Sequence, residues 1–438
     1  MEELKIKVII SAIKKFNLND ICVIMSIILI IRGEDIMSEC NYKDKLTCSK
    51  KVNSNIHDGT MLKIKAFKEY THAWLEKVIN FSKNSHRILE YINFVDCMAS
   101  SGLYFNKKYG DFYDGTAIRV IDIFINSAKK YNNIQFKIYL NDINKQYVKC
   151  LNCIKKRKKI NIPNNLKIYI SNEDKYDFIS NIKNMDNFNK YSSKSLIIYD
   201  PYEVDFEWHK LEPILQLNAD LLITHFFPND PKRNMNTKNE KLIQRYEHAY
   251  EINFNEMKNI FESKKNSFDR NILFRNILHE NLKKYSGKKF IAYAPIIIEK
   301  KLHVYDIICA SYSNYAQELL KNTMYKLYKE AESKISTEKY YQPKLFDFCD
   351  EDLYQKDRSE GISEYKFYYD ESHIIFMFIA EFGGKTLSKE DFNKRLREHP
   401  YLPSNILNLV KKTYQYKIEK KEINGRIVKY YIFPERGF

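Results

Sequence analysis

The alternation of short apolar runs with amphipathic helical segments is the feature that most constrains the fold of this chain. Five apolar runs are predicted strands, at 91–98, 136–140, 166–170, 195–199 and 220–227. Helical periodicity marks several segments before and between them, at 60–82, 116–130, 144–158 and 208–215. Strands that alternate with helices form parallel βαβ units, so we predict an α/β fold with a Rossmann-like sheet and helices on both faces.

The predicted α/β domain spans residues 57–334. Apolar runs near 290–297 and 302–310 predict an antiparallel pair of strands that closes the sheet. The segment 238–286 is charged and helical, and we interpret it as an insertion or lid. An acidic stretch at 335–365, poor in apolar residues, is the candidate linker that follows this domain.

A second, smaller domain is predicted at residues 366–438. Its periodicity indicates three helices, at 372–382, 389–398 and 405–413. Ser388 and Ser404 can cap the second and third helix. An alternating stretch around Asn424-Gly425 is a strong hairpin signal. Three helices followed by a β-hairpin predict a winged-helix-like domain.

Residues 1–56 form an N-terminal extension whose beginning has three interpretations. The apolar run 21–31 is too short to span a bilayer, which needs about 20 residues. A secretory signal lacks its small-residue cleavage site here. We favour a true start at Met37, with residues 1–36 not native; a short helix that caps the main domain is the alternative.

The cysteines indicate neither a disulfide scaffold nor a metal site. Eight cysteines are scattered over 438 residues, unlike those of a small secreted protein. Cys150-x-x-Cys153 is the only close pair, and no histidine follows at zinc spacing. We therefore predict no bound metal, no membrane association and a reducing, cytoplasmic location.

The charge balance favours a polyanionic partner. The formal net charge is +16, with 72 Lys and Arg against 56 Asp and Glu. Residues 385–438 hold 13 Lys and Arg against 6 Asp and Glu. We predict that phosphate contacts with DNA or RNA come from the last helix and the hairpin, through Lys411, Lys412, Lys417, Lys420, Arg426 and Lys429. A surface for dimerisation or partner docking is the alternative use of this domain.

Polar residues follow each predicted strand, where an open α/β sheet binds its ligands. A glycine-containing turn at 96–102 ends the first strand, Asn141-Asp142 the second and residues 171–174 the third. A turn of this kind lets a cofactor approach the backbone, the acid can bind a ribose diol, and a polar residue can meet an adenine edge. That order is the layout of an S-adenosylmethionine site in class I methyltransferases.

At this point the chain resembles the three-Cys-motif partner proteins (TcmP). The matching stretches lie in order between residues 57 and 330 and include Thr60-x-x-Lys63, FVDCMASSGLY, FKIYLNDIN, SLIIYDPYEVDFEW and LLITHFFPNDPKRN. The resemblance implies a class I methyltransferase-like core and a partner protein with three cysteines that hold an iron–sulfur cluster.

The positions after the predicted strands suggest roles for individual residues. The expected S-adenosylmethionine contacts are Asp96, Ala99, Gly102, Asp142, Asn172 and Asp174. The segment Asp200-Pro201-Tyr202 resembles the D-P-P-Y motif of amino-group methyltransferases, in which the acid and a prolyl carbonyl accept from the target amine and the aromatic ring stacks on the base. Arg233 is expected to pair with a phosphate or carboxylate.

Three departures from the patterns keep a second function open. In the turn, Met98 stands where the family has an aromatic residue and Ser100 where it has the first glycine, and one proline of the D-P-P-Y motif is missing. The leading hypothesis is a methyltransferase that acts on or with nucleic acid. The alternative is a non-catalytic adaptor for the iron–sulfur partner, in which the altered turn no longer binds cofactor.

Overall fold

A computed structural model describes most of the chain from Lys51 onward. The described residues are 51–53, 56, 58–107, 110–183, 185, 188, 190–226, 234–263, 267–298, 301–337, 371–399, 402–411, 413–423 and 425–434. The predicted extension 1–36, Arg233, Lys412 and nearly all of the predicted linker lie outside these ranges. Residues from Val52 onward belong to one compact unit.

The core is a seven-stranded sheet in the order β5-β4-β1-β6-β7-β9-β8. Its strands are β1 Tyr91–Asp96, β4 Gln135–Asn141, β5 Leu166–Ser171, β6 Ser193–Tyr199, β7 Ala219–His225, β8 Phe290–Ile298 and β9 Lys301–Ser311. The first five pair in parallel, whereas β9 runs antiparallel to both β7 and β8. A parallel sheet whose last strand is inserted antiparallel is the Rossmann-like, class I methyltransferase-type sheet that the sequence predicted.

Helices cover the sheet and connect its strands. They are α1 Asp58–Asn84, α2 Thr116–Lys130, α3 Lys145–Lys158, α4 Lys175–Lys183, α5 Trp208–Leu215, α6 Glu240–Tyr250, α7 Phe254–Ser263, α8 Ser267–Ser286 and α9 Asn314–Thr337. Helices α6 to α8 occupy the segment 238–286, which the sequence predicted to be helical. Helices α4 and α9 had no counterpart among the predicted elements.

Side chains alternate between the two faces of the sheet, as strand geometry requires. On β1, Phe94 packs edge-on against Phe124 of α2. Its neighbour Val95 belongs to a separate core cluster with side chains of α4, α5 and the helical insertion, among them Ile179, Leu211 and Phe274. Both faces of the sheet at β1 are therefore buried.

A short hairpin that the sequence did not predict lies between β1 and α2. Its strands are β2 Leu103–Asn106 and β3 Asp111–Asp114. The segment before α1 adds to it, since Asn53 forms a parallel bridge with Tyr104. The N-terminal end of the described chain therefore lies beside the turn that follows β1.

The C-terminal domain contains the three predicted helices and the predicted hairpin. Its elements are α10 Glu371–Phe382, β10 Thr386–Ser388, α11 Lys389–Glu398, α12 Ile406–Val410, β11 Lys417–Ile423 and β12 Arg426–Ile432. The additional strand β10 makes a three-stranded sheet in the order β10-β12-β11. Aromatic residues dominate its core, with Phe378, Phe382, Phe392 and Phe433 in mutual contact. Its interpretation as a winged helix stays a prediction.

One of the two predicted helix caps is present. Ser388 accepts a hydrogen bond from Asp391 N at 3.0 Å and so caps α11, as predicted. Ser404 does not cap α12, which begins later and ends earlier than predicted; its hydroxyl accepts from Asn322 of α9 instead. The prediction was wrong because the residue is used in a contact between domains. Among the described helices none is both long and apolar enough to cross a membrane.

Candidate functional site at the carboxyl edge of the sheet

The turn after β1 is tightly fixed by hydrogen bonds. Asp96 Oδ1 accepts from Met98 N at 3.2 Å, and Ala99 N donates to Asn141 O at 2.7 Å. Ser100 has a φ of 55°, in the left-handed region that favours glycine. Ser100 thus adopts a backbone conformation that glycine would adopt without strain.

Gly102 is required by both its conformation and its surroundings. Its φ is 69°, and an added Cβ would lie 2.9 Å from Leu151 Cδ2 and 3.1 Å from Ile154 Cδ1 of α3. This glycine therefore permits close packing of the turn on a helix. Its carbonyl accepts from Gly115 N at 2.8 Å, which closes the base of the β2–β3 hairpin.

Asp142 joins the end of β4 to the turn after β1. One carboxylate oxygen accepts from Ser100 N at 2.9 Å and the other from Asn144 N at 2.8 Å. Desolvation raises the pKa of Asp142, while these two N–H groups oppose the shift. A carboxylate offers about four lone-pair sites, so two acceptor positions are left for a ligand.

Two of the predicted cofactor residues have structural partners. The Asn172 amide donates to the carbonyls of Asp142 and Ile143, at 2.8 and 2.9 Å. Asp174 lies just before α4 and accepts from Tyr176 N at 2.8 Å, the bond expected of an N-cap. Both side chains are exposed at the same edge of the sheet.

Asp200, directly after β6, forms an ion pair with Lys63 of α1. The distances from Lys63 Nζ to the two carboxylate oxygens are 2.8 and 2.6 Å. The side chains are only 12% and 20% exposed. The ammonium group also lies 5.6 Å from the ring centre of Phe226 and 5.3 Å from that of Tyr305. Lys63 is therefore held at the sheet edge by one carboxylate and two aromatic rings.

Aromatic side chains line the same edge. Pro201 is buried, whereas the Tyr202 side chain is 73% exposed. Desolvation, and then the Asp200 carboxylate, raise the pKa of Tyr104. Desolvation raises the pKa of Tyr147 too, with smaller contributions from Asp142 and Tyr202. Tyr104 is therefore within electrostatic range of Asp200, and Tyr147 within range of Asp142.

Three carboxylates meet at the ends of three adjacent strands, because β4, β1 and β6 are neighbours in the sheet. Asp96 is buried, with 3% of its surface exposed. Desolvation, together with the charges of Asp200 and Asp142, raises the pKa of Asp96 to about 7. Lys63 opposes this shift only in part. The edge is therefore an acidic site that favours a cationic ligand.

The predicted nucleic-acid-binding residues lie in the C-terminal part of the chain. Lys417, Lys420, Arg426 and Lys429 are exposed on the β11–β12 hairpin, and Lys411 is exposed after α12. Within the described residues no group of three or more His, Cys, Asp and Glu side chains could hold a metal ion.

Lys63 is the site residue whose role the sequence did not reveal. Its spacing carried a signal, because Phe67, Tyr70 and Trp74 follow it on the apolar face of α1. A lysine on such a face needs a buried partner. Its partner Asp200 lies 137 positions away in the chain, and only the fold brings the two together.

No family model matches this chain, and no curated protein matches it. Solved structures that are similar to it include a DszA carbon methyltransferase, at 9% identity and a TM-score of 0.27 over 55% of this chain and 53% of that one. A second is the precorrin-6y C5,15-methyltransferase of Geobacter metallireducens, at 11% identity and a TM-score of 0.24 over 54% of this chain and 87% of that one. A third is the methyltransferase domain of bacterial-CtHen1-C, at 12% identity and a TM-score of 0.24 over 55% of this chain and 98% of that one. The chain thus aligns with about half of the first structure. Scores this low do not establish a shared fold, so the fold assignment rests on strand order and direction.

Proposed function

We propose that the chain binds S-adenosylmethionine at the carboxyl edge of its sheet and transfers the methyl group to an acceptor beside Asp200. The observation that carries this proposal is the meeting of Asp96, Asp142 and Asp200 at the ends of three adjacent strands. The cofactor supplies a methyl group on a positively charged sulfur. An acidic edge stabilises that charge, since opposite charges attract strongly where water is partly excluded.

Each residue has a distinct task in this proposal. Asp142 would accept from the ribose hydroxyls with the lone pairs that Ser100 N and Asn144 N leave over. The turn 97–102 would pass along the amino-acid part of the cofactor. Asp200 would orient the acceptor, and Tyr202 would stack against it if it is a planar ring.

Calorimetric titration of the full chain tests the cofactor site. Wild type should bind S-adenosylmethionine, and Asp142→Ala should lose at least tenfold in affinity, because charge-assisted hydrogen bonds are worth about 1.5–3 kcal/mol. Asp177→Ala is the matched control, since Asp177 is an exposed carboxylate on α4. No binding to wild type at millimolar cofactor, or equal losses in both variants, would remove the support for an enzyme.

The proposal extends to nucleic acid and to the iron–sulfur partner that the family resemblance implies. The net charge of +16 and the exposed basic residues of the β11–β12 hairpin support a polyanionic partner. In this proposal Lys417, Lys420, Arg426 and Lys429 contact phosphates and carry no sequence information.

A non-catalytic adaptor is the second candidate, and two observations favour it. Ser100 adds a side chain to the turn, and its hydroxyl accepts from Asn53 Nδ2 at 3.1 Å. Lys63 also donates to both oxygens of Asp200, which leaves only one acceptor site on each oxygen for a substrate. The variant Ser100→Gly separates the two functions, because it removes the side chain without changing the backbone conformation. If only this variant binds S-adenosylmethionine, the wild-type chain is the adaptor.

A further inference from the structure

The Lys63–Asp200 pair offers one donor and one acceptor side by side. An ammonium group has three N–H donors, and a carboxylate has about four lone-pair sites. Within the described part of the chain, Lys63 Nζ hydrogen-bonds to no atoms other than Asp200 Oδ1 and Oδ2. Two N–H groups satisfy these contacts. One N–H and two acceptor sites are left for a ligand, and neither side chain is completely buried.

The surroundings of the pair favour a flat ring over a flexible chain. Tyr202 follows Asp200 by two residues and is 73% exposed. Aromatic stacking on such a side chain is worth about 1–3 kcal/mol per base in single-stranded nucleic acid complexes. The Lys63 ammonium also lies 5.6 Å from the ring centre of Phe226 and 5.3 Å from that of Tyr305, so the pair is set among aromatic rings.

We infer that Lys63 selects the acceptor base: its remaining N–H donates to an unprotonated ring nitrogen while Asp200 accepts from the amino group next to it. Adenine and cytosine carry this combination on their pairing edges. On the same edge, guanine and thymine carry a protonated ring nitrogen. That N–H is itself a donor, so it cannot accept a hydrogen bond from the ammonium group. The inference rests on the proposed function and narrows its substrate to these two bases.

Binding of short single strands tests this selection directly. The probes are thymidine oligonucleotides with one central adenine, cytosine, guanine or thymine, and the measurement is fluorescence anisotropy on the full chain. Wild type should prefer the adenine and cytosine strands by about tenfold, within the range for a two-bond base contact. The variant Lys63→Met should bind all four strands alike. Lys77→Met should keep the preference, since Lys77 is an exposed lysine on the same helix.

Two results would overturn the inference. One is equal affinity of wild type for all four strands, which includes the absence of binding; the other is a preference that survives Lys63→Met. If Lys63→Met does not fold, the double change with Asp200→Asn leaves no unpaired charge and should also abolish the preference. The cofactor titration is a separate measurement. The base preference can therefore be absent while S-adenosylmethionine still binds, and it can be present when the cofactor does not bind.

Discussion

Asp96 makes the stability of this protein depend on pH. Its pKa is about 7 in the folded state, against about 3.9 in an unfolded chain. The folded state therefore holds the proton more tightly, and this contribution is complete below about pH 4 and is lost as the pH rises through 7. Asp96→Asn cannot ionise and still offers an oxygen to Met98 N. We expect it to be more stable than wild type at high pH.

The free energy of unfolding of Asp96→Asn, relative to that of wild type, should be larger at about pH 8 than at about pH 5 by roughly 2–3 kcal/mol. Each pKa unit corresponds to about 1.4 kcal/mol. Urea unfolding at both pH values measures it. Asp177→Asn removes an exposed carboxyl and should show no such difference. A pH-independent effect of Asp96→Asn would mean that the carboxyl is already ionised in the folded protein.

The sequence alone can place a residue at this site where the end of a strand determines its position. Asp96, Asp142 and Asp200 lie at one edge of the sheet because each ends or directly follows an apolar run, and parallel strands bring such ends together. The ion pair of Asp200 was not predictable, because Lys63 belongs to a helix far away in the chain. The contacts of Ser100 with Asn53 and Asp142 were not predictable either, because both partners lie more than 40 positions away in the chain.

At the scale of elements, length decided which strands could be predicted. The core strands have six or more residues and strong apolar character, and they lie close to their predicted bounds. Strands β2 and β3 have four residues each and are largely half-buried. Runs this short carry too little alternation to identify a strand. They form because the turn after β1 and the segment at Asn53 hold them.

The β11–β12 hairpin carries an unfavourable charge pair that a polyanion would relieve. Lys420 and Lys429 lie directly opposite each other, and like charges in that position destabilise a sheet. Lys420→Glu should therefore raise stability by about 0.2–1 kcal/mol while it weakens binding to duplex DNA. With Arg426→Glu added, the slope of log affinity against log salt should fall by about 0.9 for each phosphate that the protein no longer neutralises.

Anisotropy titrations of the full chain at several salt concentrations test this prediction. Lys394→Glu is the control, because it makes the same charge change at an exposed position on α11, outside the hairpin strands. Equal decreases in affinity for the hairpin and control variants would indicate a nonspecific effect of net charge. Absence of DNA binding by wild type at low salt would favour partner docking for this domain.

At the scale of the whole molecule, a buried lysine joins the two domains. Lys321 of α9 is 1% exposed. Its Nζ donates to Leu396 O at 2.9 Å and Arg397 O at 3.0 Å, and also to His399 O. These carbonyls end α11, where a positive charge stabilises the helix dipole. Asn322, the next residue, exchanges two hydrogen bonds with Ser404.

The domain order was predictable from the sequence, but the contact made by Lys321 was not, because no local pattern distinguishes Lys321 from the many exposed lysines.

We expect Lys321→Met to uncouple the C-terminal domain from the sheet domain. The change leaves three carbonyl groups at a buried helix end without their donor, and removal of a charged hydrogen bond alone costs about 1.5–3 kcal/mol. Calorimetry should show the C-terminal domain unfolding at a lower temperature than the sheet domain, and hydrogen exchange should increase at the end of α11. Lys326→Met is the control, because the Lys326 side chain is 62% exposed and its Nζ lies 3.6 Å from Glu69 Oε2. This change should lower the free energy of unfolding by less than about 1 kcal/mol. A single unchanged transition in Lys321→Met would show that apolar packing of Tyr325 against the C-terminal core is sufficient to hold the domains together.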